Sequence, residues 1–475
     1  APTWLSGVVY GPWCHMTIRE FRQLMPAQYP IRSYPDITHS LDCQYPVPDW
    51  DLAYALTEGR ETINPRPRQE TIIFNQMGED VVGFLTYSEG CNDDVNKFIW
   101  SGLGWDPQAD VVEILRQYSR FLIGEEYAHA FTQALLALEQ NWVGPLATNN
   151  GVYTTLQQCQ ALEQAASPFV LKNWRFQMAL YRAYYDAYTR SRLLYETGLE
   201  EQALHWLRQA PQLGALRALD QAETLLDQAV SQPIATAWRT RIFQLAEALF
   251  QSIHMQLSVP LYAAQSETRG ANLDGVDYPL NDRPWLKAQF NNIRTLADEQ
   301  ARLTAIGQIV DWTNPGPGGY YVDLSNAYDC PYLIDKLPYA ADPGFYRSPH
   351  RRFPYWKDRN PVRRAWRAYT GNLADVPFRL HFPLLDPQAE YKVRMVYSDT
   401  EEEIKLRLVA VRNNPEETVE IHPFIKKAFP PAPMEFSIPR AATARGELTL
   451  SLYREPGLGG LGAGHEISEI WIIQQ

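Results

Sequence analysis

DVVGFLTYSEGCNDDVNKFIWSGLGWDP, residues 80–107, is the stretch on which the fold turns. Val81, Val82, Phe84 and Leu85 make a short apolar run, the pattern of a parallel strand buried on both faces. The run ends in Ser88 and Glu89 before Gly90, and Asp93 then opens a helix through Trp100. Two similar units precede it. LSGVVYG (5–11) is β-rich and is followed by MTIREFRQLM (16–25), a helix that Thr17 and Glu20 cap reciprocally and Pro26 stops. YPIRSYPD (29–36) reads as a further strand. The Pro-rich residues 44–67 form a loop with a short helix near Trp50–Leu56, and a helix follows from Arg68 to Met77. Strand, loop and helix in repeated order predict parallel βαβ units.

Beyond residue 110 the period changes. Trp174, Met178, Tyr181, Tyr185 and Tyr188 recur at helical spacing, as do Ile242, Leu245, Leu249 and Ile253, so a helical region is expected to residue 310. These stripes read as packing seams. Residues 311–375 are rich in Pro, Gly and aromatics and include the basic run HRRFPYWKDRNPVRRAWRAY (350–369), read as an irregular connector with a solvated or interdomain face. From 376 the period is two: Tyr391, Val393, Met395 and Tyr397 alternate with polar neighbours, as do Leu448, Leu450 and Leu452. The expected fold is therefore multidomain α/β + α + β. Residues 1–110 are the C-terminal part of a (β/α) barrel, 111–310 a helical domain, 311–375 a connector and 376–475 an antiparallel β-sandwich. A whole barrel needs eight strands and ~250 residues, so the barrel half before residue 1 is expected either from a longer form of the same protein or from another chain that completes it.

Polar and aromatic groups gather where these strands end, the side on which parallel α/β folds place their sites. After the first strand come Trp13 and His15. After the second come Arg32, Tyr34, Asp36 and His39. After the third come Tyr87, Glu89, Asp93 and Asp94. Glu89 and Asp36 are the candidate catalytic carboxylates, able to act as acid, base or nucleophile; the others are candidate substrate-binding groups. Bland readings stand beside these. Glu89 can serve the next loop's amides, Asp36 can be a turn residue, and Asp93 and Asp94 can cap a helix. Trp100 and Trp105 read as core.

The chain of 475 residues carries 43 Lys and Arg against 55 Asp and Glu, a net charge of −12, which argues against nucleic acid as a partner. The five Cys are widely spaced and show no CxxC, so neither a disulfide framework nor a metal motif is indicated, and no cofactor motif is present. Gly457, Gly459 and Gly462 match GxGxxG but precede a strand rather than a helix, and read as a loop. No apolar run is long enough to span a membrane. The N-terminus lacks a leader's features, so either a signal peptide has been removed, which fits a secreted or periplasmic location, or the chain starts inside a longer one.

GFLTYSEG (83–90), DDVNKFIWSGLGWDP (93–107) and ILRQYSRFLIG (114–124) resemble the barrel-to-helix junction of large modular bacterial glycoside hydrolases of the α-glucuronidase and β-hexosaminidase-like kinds. EFSIP (435–439) and ATARGELTLSLYREPGLGGLGAGHEISEIWII (442–473) look like their accessory sandwich. The consecutive Asp-Glu pair that hexosaminidases use is absent from residues 1–110. The resemblance implies a glycoside hydrolase, or its C-terminal portion, acting on a polysaccharide or oligosaccharide. The alternatives are a non-catalytic carbohydrate-binding or scaffold protein, and a helical interaction module whose barrel segment only packs.

Overall fold

Thr17 and Glu20 close the capping box of α1 (Ile18–Leu24), each side chain bonding the other's backbone amide. This helix follows β1 (Val8–Tyr10), and β2 (Ile31–Ser33) and β3 (Gly83–Phe84) complete a parallel sheet in the order β1-β2-β3. The computed structural model describes residues 4–12, 14, 16–326, 330–353, 360–372, 376–398, 404–412, 417–456 and 466–475. Among them this sheet has three strands, well short of a closed barrel. Its pairing continues past β3, because Tyr87 donates to the Pro35 carbonyl and Ile37 to that of Tyr87.

β3 differs from its sequence reading. It lies at the sheet edge, and Val82 and Leu85 are 76% and 55% exposed, so the run is not buried on both faces. Apolarity marked a strand correctly, but burial depends on a neighbour beyond β3 that these residues do not supply. Trp105 is likewise exposed rather than core, whereas Trp100 is buried and donates to Glu70 at 2.8 Å.

Between β2 and β3 the chain forms α2 (Leu52–Glu58) and α3 (Pro67–Met77), and α4 (Asp94–Trp105) follows β3. Every residue of α2 is buried, since it lies between the sheet's loops and the helices beyond. Pro67 suits the first turn of α3, where its missing N–H costs nothing, and Gly78 ends that helix at φ +50°. Helices then dominate from Val111 to Val310, around the 35-residue helix Trp174–Arg208. No helix among the described residues is long and apolar enough to cross a membrane.

One stretch departs from that helical expectation. Between the short helix Val259–Tyr262 and the helix Arg283–Thr295 the chain makes only two 3₁₀ turns and returns to α2. The tyrosine stripe of the long helix grips it: Tyr181 donates to Asn272 Oδ1 at 2.8 Å and Tyr188 to Asp277 Oδ1 at 2.8 Å. Tyr185 donates to the carbonyls of both Thr57 and Asn272. Gly275 must be glycine, because a Cβ there would lie 2.6 Å from the Thr57 carbonyl oxygen.

The remaining strands are β4 (Tyr320–Asp323), β5 (His350–Arg352), β6 (Tyr369–Gly371), β7 (Phe378–Phe382), β8 (Tyr391–Tyr397), β9 (Lys405–Val411), β10 (Thr418–Lys426), β11 (Pro433–Ile438), β12 (Leu448–Arg454) and β13 (Ile467–Gln474). They form two antiparallel sheets, β10-β9-β12-β7 and β11-β8-β13-β6-β5 with β4 also on β13. Alternate residues of both sheets fill one apolar core, including Val393, Met395, Leu408 and Leu450. Residues 311–375, read as an irregular connector, thus supply β4, β5 and β6 of the larger sheet. Their strands are too short to show a period. The basic run is buried rather than solvated where it is described, with Arg351, Arg363 and Arg367 all under 10% exposed. The glycines Gly457, Gly459 and Gly462 lie outside the described residues.

Candidate functional site

The three parallel strands end side by side, and a cavity of about 470 Å³ opens there. Gly11, Pro12 and Cys14 line it from the loop after β1, and Tyr87 from the end of β3's pairing. The β2 loop contributes Tyr34, Asp36, His39, Cys43 and Gln44, and Arg60 comes from the segment after α2. Tyr34 meets Tyr87 edge-on at 5.8 Å, and the Tyr87 ring stacks on His39 at 5.7 Å.

The β2 loop is folded around Asp36. Its Oδ1 accepts from the backbone amides of Thr38 and His39, and its Oδ2 meets His39 Nδ1 at 2.7 Å. Arg66, fully buried and paired with Glu70, holds the loop from beneath by donating to the carbonyls of His39 and Tyr45. Burial by itself would raise the Asp36 carboxyl. The bonds from His39 and the two amides outweigh it and hold Asp36 below the usual carboxylate range. Burial also disfavours charge on His39, yet its bonds to Asp36 and Glu61 overcome this and raise its pKa. Burial pushes the Cys43 thiol well up, which disfavours its thiolate form.

Beyond His39 lies a second layer. His39 Nε2 is 3.2 Å from Glu61 Oε1. Arg269, on the 3₁₀ turn of the returning stretch, bridges Glu61 Oε1 at 3.0 Å and Glu89 Oε2 at 2.9 Å. Arg60 stands 3.8 Å from Glu61, and its Nε is buried with no hydrogen-bond partner among the described residues. His39 Nε2 and one oxygen each of Glu61 and Glu89 lie within 4.8 Å of one another.

Of the residues singled out in sequence, Tyr34, Asp36, His39 and Tyr87 line the cavity and Glu89 lies behind it, tied to Arg269. Four fall short of the site role expected of them, although Asp93 and Asp94 keep their expected place at the start of α4. Arg32 is exposed in the middle of β2 and does not line the cavity. Asp93 is fully buried at the N-cap position of α4, but its side chain makes no capping bond; it accepts from Thr38 Oγ1, from Ser88 Oγ at 3.1 Å and from Lys97 Nζ at 3.0 Å, so it ties the β2 and β3 loops together. Asp94 points to the helices, accepting from Tyr118 and Arg175 at 2.8 Å each. Asp36 has its carboxylate oxygens committed to His39 and Thr38, and His39, which also lines the cavity, is held between Asp36 and Glu61. Trp13 and His15 lie outside the described residues.

Glu61, Arg60 and Arg269 were not legible as site residues. Glu61 and Arg60 follow a buried helix inside a Pro-rich loop. Arg269 sits in a zone of helical period, and its signal was the run GANLDGVDYPLND (270–282), whose Gly, Asp and Pro content breaks a helix.

No family model matches this chain, and no curated protein matches it. Among solved structures it is similar to a family GH115 4-O-methyl-α-glucuronidase with specificity for decorated arabinogalactans. The TM-score is 0.30 and the identity 10%, over 98% of this chain and 58% of that one. The chain thus spans a little over half of that protein's length.

Proposed function

We propose that this chain carries a carbohydrate-processing site of the glycoside hydrolase type, with His39 as the proton carrier and Asp36 as the group that positions it. The observation that supports this is the Asp36–His39 pair, at 2.7 Å, opening onto a cavity walled by Tyr34, Tyr87 and Arg60. A volume near 470 Å³ falls within the usual range for small-molecule sites. Aromatic rings offer faces for a sugar ring, and the Arg60 guanidinium in the wall offers a positive charge for a hydroxyl or carboxylate oxygen. Glu89 and Glu61 are the nearby carboxylates for the second role that glycoside hydrolysis needs. On this reading residues 1–110 are the end of a (β/α) barrel, 111–310 a helical domain and 376–475 a β-sandwich accessory domain.

A second reading, a non-catalytic carbohydrate-binding site, is favoured by one feature. Asp36 is committed to His39 and Thr38, and Glu61 and Glu89 are both held by Arg269. A single pair of assays separates the two: turnover of a panel of aryl glycosides and polysaccharides, and saccharide binding by calorimetry. The hydrolase reading expects His39→Gln and Glu89→Gln each to lower kcat by ~10²–10⁴-fold with binding retained. A wild type that binds saccharide without turning it over supports the second reading, and an active wild type whose two variants keep full kcat refutes the assignment of the site.

A further inference from the structure

We propose that His39, Glu61 and Glu89 form a divalent transition-metal site whose place Arg269 holds in the structure described here. The donors are one imidazole nitrogen and two carboxylates, gathered within 4.8 Å. That set suits zinc-like ions over magnesium or calcium, which prefer oxygen alone. Three donors around a tetrahedral zinc at ~2.0–2.1 Å stand roughly 3.3–3.5 Å apart. His39 Nε2 and Glu61 Oε1 are already near that spacing, at 3.2 Å, and the Glu89 oxygen lies within 4.8 Å of both.

Two observations outside the three donors point the same way. Asp36 binds His39 at Nδ1 and so leaves Nε2 directed at Glu61, the carboxylate–histidine arrangement that orients metal ligands. The space between the two carboxylates is also already a cation position, because the Arg269 guanidinium spans it. Arg269 is held there lightly. Its side chain is 37% exposed, on a three-residue turn that ends at Gly270 with φ +87°. Glu61, by contrast, is 8% exposed and His39 2%. A metal ion entering the site displaces a surface arginine and leaves the buried donors in place. Asp36 occupies His39 Nδ1, so a metal ion on Nε2 takes the nitrogen the proton carrier would use; the metal-bound chain and the hydrolase reading are alternatives, and the readout of this proposal is binding alone.

The test is calorimetric titration of Zn²⁺ into the chelator-treated full chain and its variants, with Mg²⁺ as the contrasting ion and circular dichroism to confirm folding. The expected result is one Zn²⁺ bound in preference to Mg²⁺. His39→Gln and Glu61→Gln should weaken binding at least 10-fold, and Arg269→Ala should tighten it. Arg269→Ala alters a partly exposed side chain, so it reports even if the buried variants fail to fold. Zn²⁺ binding that is unchanged or weaker in Arg269→Ala, or unchanged in the folded His39 and Glu61 variants, overturns the site.

Discussion

Glu469 and His39 are both buried ionisable groups surrounded by partners, and the difference between them lies in what is beside the partners. Glu469 on β13 accepts from Trp312, Tyr321, Trp366 and Arg363, and the cluster is sealed between the helical region and the larger antiparallel sheet. Arg363 in turn reaches Asp282, at the head of the helix Arg283–Thr295, and lies over the rings of Trp285 and Trp312. Burial raises the Glu469 carboxyl although Arg363 opposes it. The His39 cluster is also held by partners on its inner side but has one open side, a cavity of about 470 Å³. A perturbed ionisable group alone therefore does not mark a site in this molecule; the free volume next to it does.

The sharpest way to break that comparison is to open the sealed cluster. Arg363→Ala leaves Glu469 and Asp282 without their cation, and removing one partner of a buried pair costs ~3–5 kcal/mol. Thermal unfolding by circular dichroism should show a clear fall in Tm. A Tm within error of wild type would mean the cluster is not the structural tie described.

The open cluster should instead show itself through pH. His39 has a raised folded pKa, so the stability it contributes is fully present below its unfolded value, ~6.5, and is lost as pH rises through the folded value. Asp36 has a lowered one, so its contribution is present above ~3.8 and is lost as pH falls through the folded value. Tm should therefore be highest between those limits. His39→Gln should flatten the alkaline side of the profile, and an unaltered alkaline slope in that variant would refute the His39–Asp36–Glu61 linkage.

The smallest expected effect belongs to a residue in neither cluster. Trp105 is 93% exposed at the end of α4, so Trp105→Ser should change stability by no more than ~0.5 kcal/mol. A larger loss, measured by urea unfolding, would place Trp105 against something the described residues do not include.

Much of the architecture was legible because it rests on period. The 3.6-residue stripe of Trp174–Tyr188 and the alternation of Tyr391–Tyr397 each identify their element, and Thr17 with Glu20 identify a helix start. What was not legible depended on neighbours. Val82 and Leu85 look buried until β3 proves to be an edge, and β4, β5 and β6 are too short to alternate visibly. The site divides the same way. Asp36, His39 and Tyr87 follow from being at strand ends, whereas Asp93 looked like a helix cap because sequence cannot show Thr38 and Ser88 folding over it. Glu61 and Arg269 come together only through tertiary packing on α2.

That last meeting sets a clock on the site. Glu89 and Arg269 are 180 residues apart in the chain, and the segment that carries the arginine packs on α2 with Gly275 against Thr57. At synthesis rates of ~5–20 residues per second, the carboxylates of Glu61 and Glu89 leave the ribosome roughly 10–40 s before their counter-charge exists. During that interval the nascent chain carries both carboxylates without the guanidinium that bridges them in the folded protein.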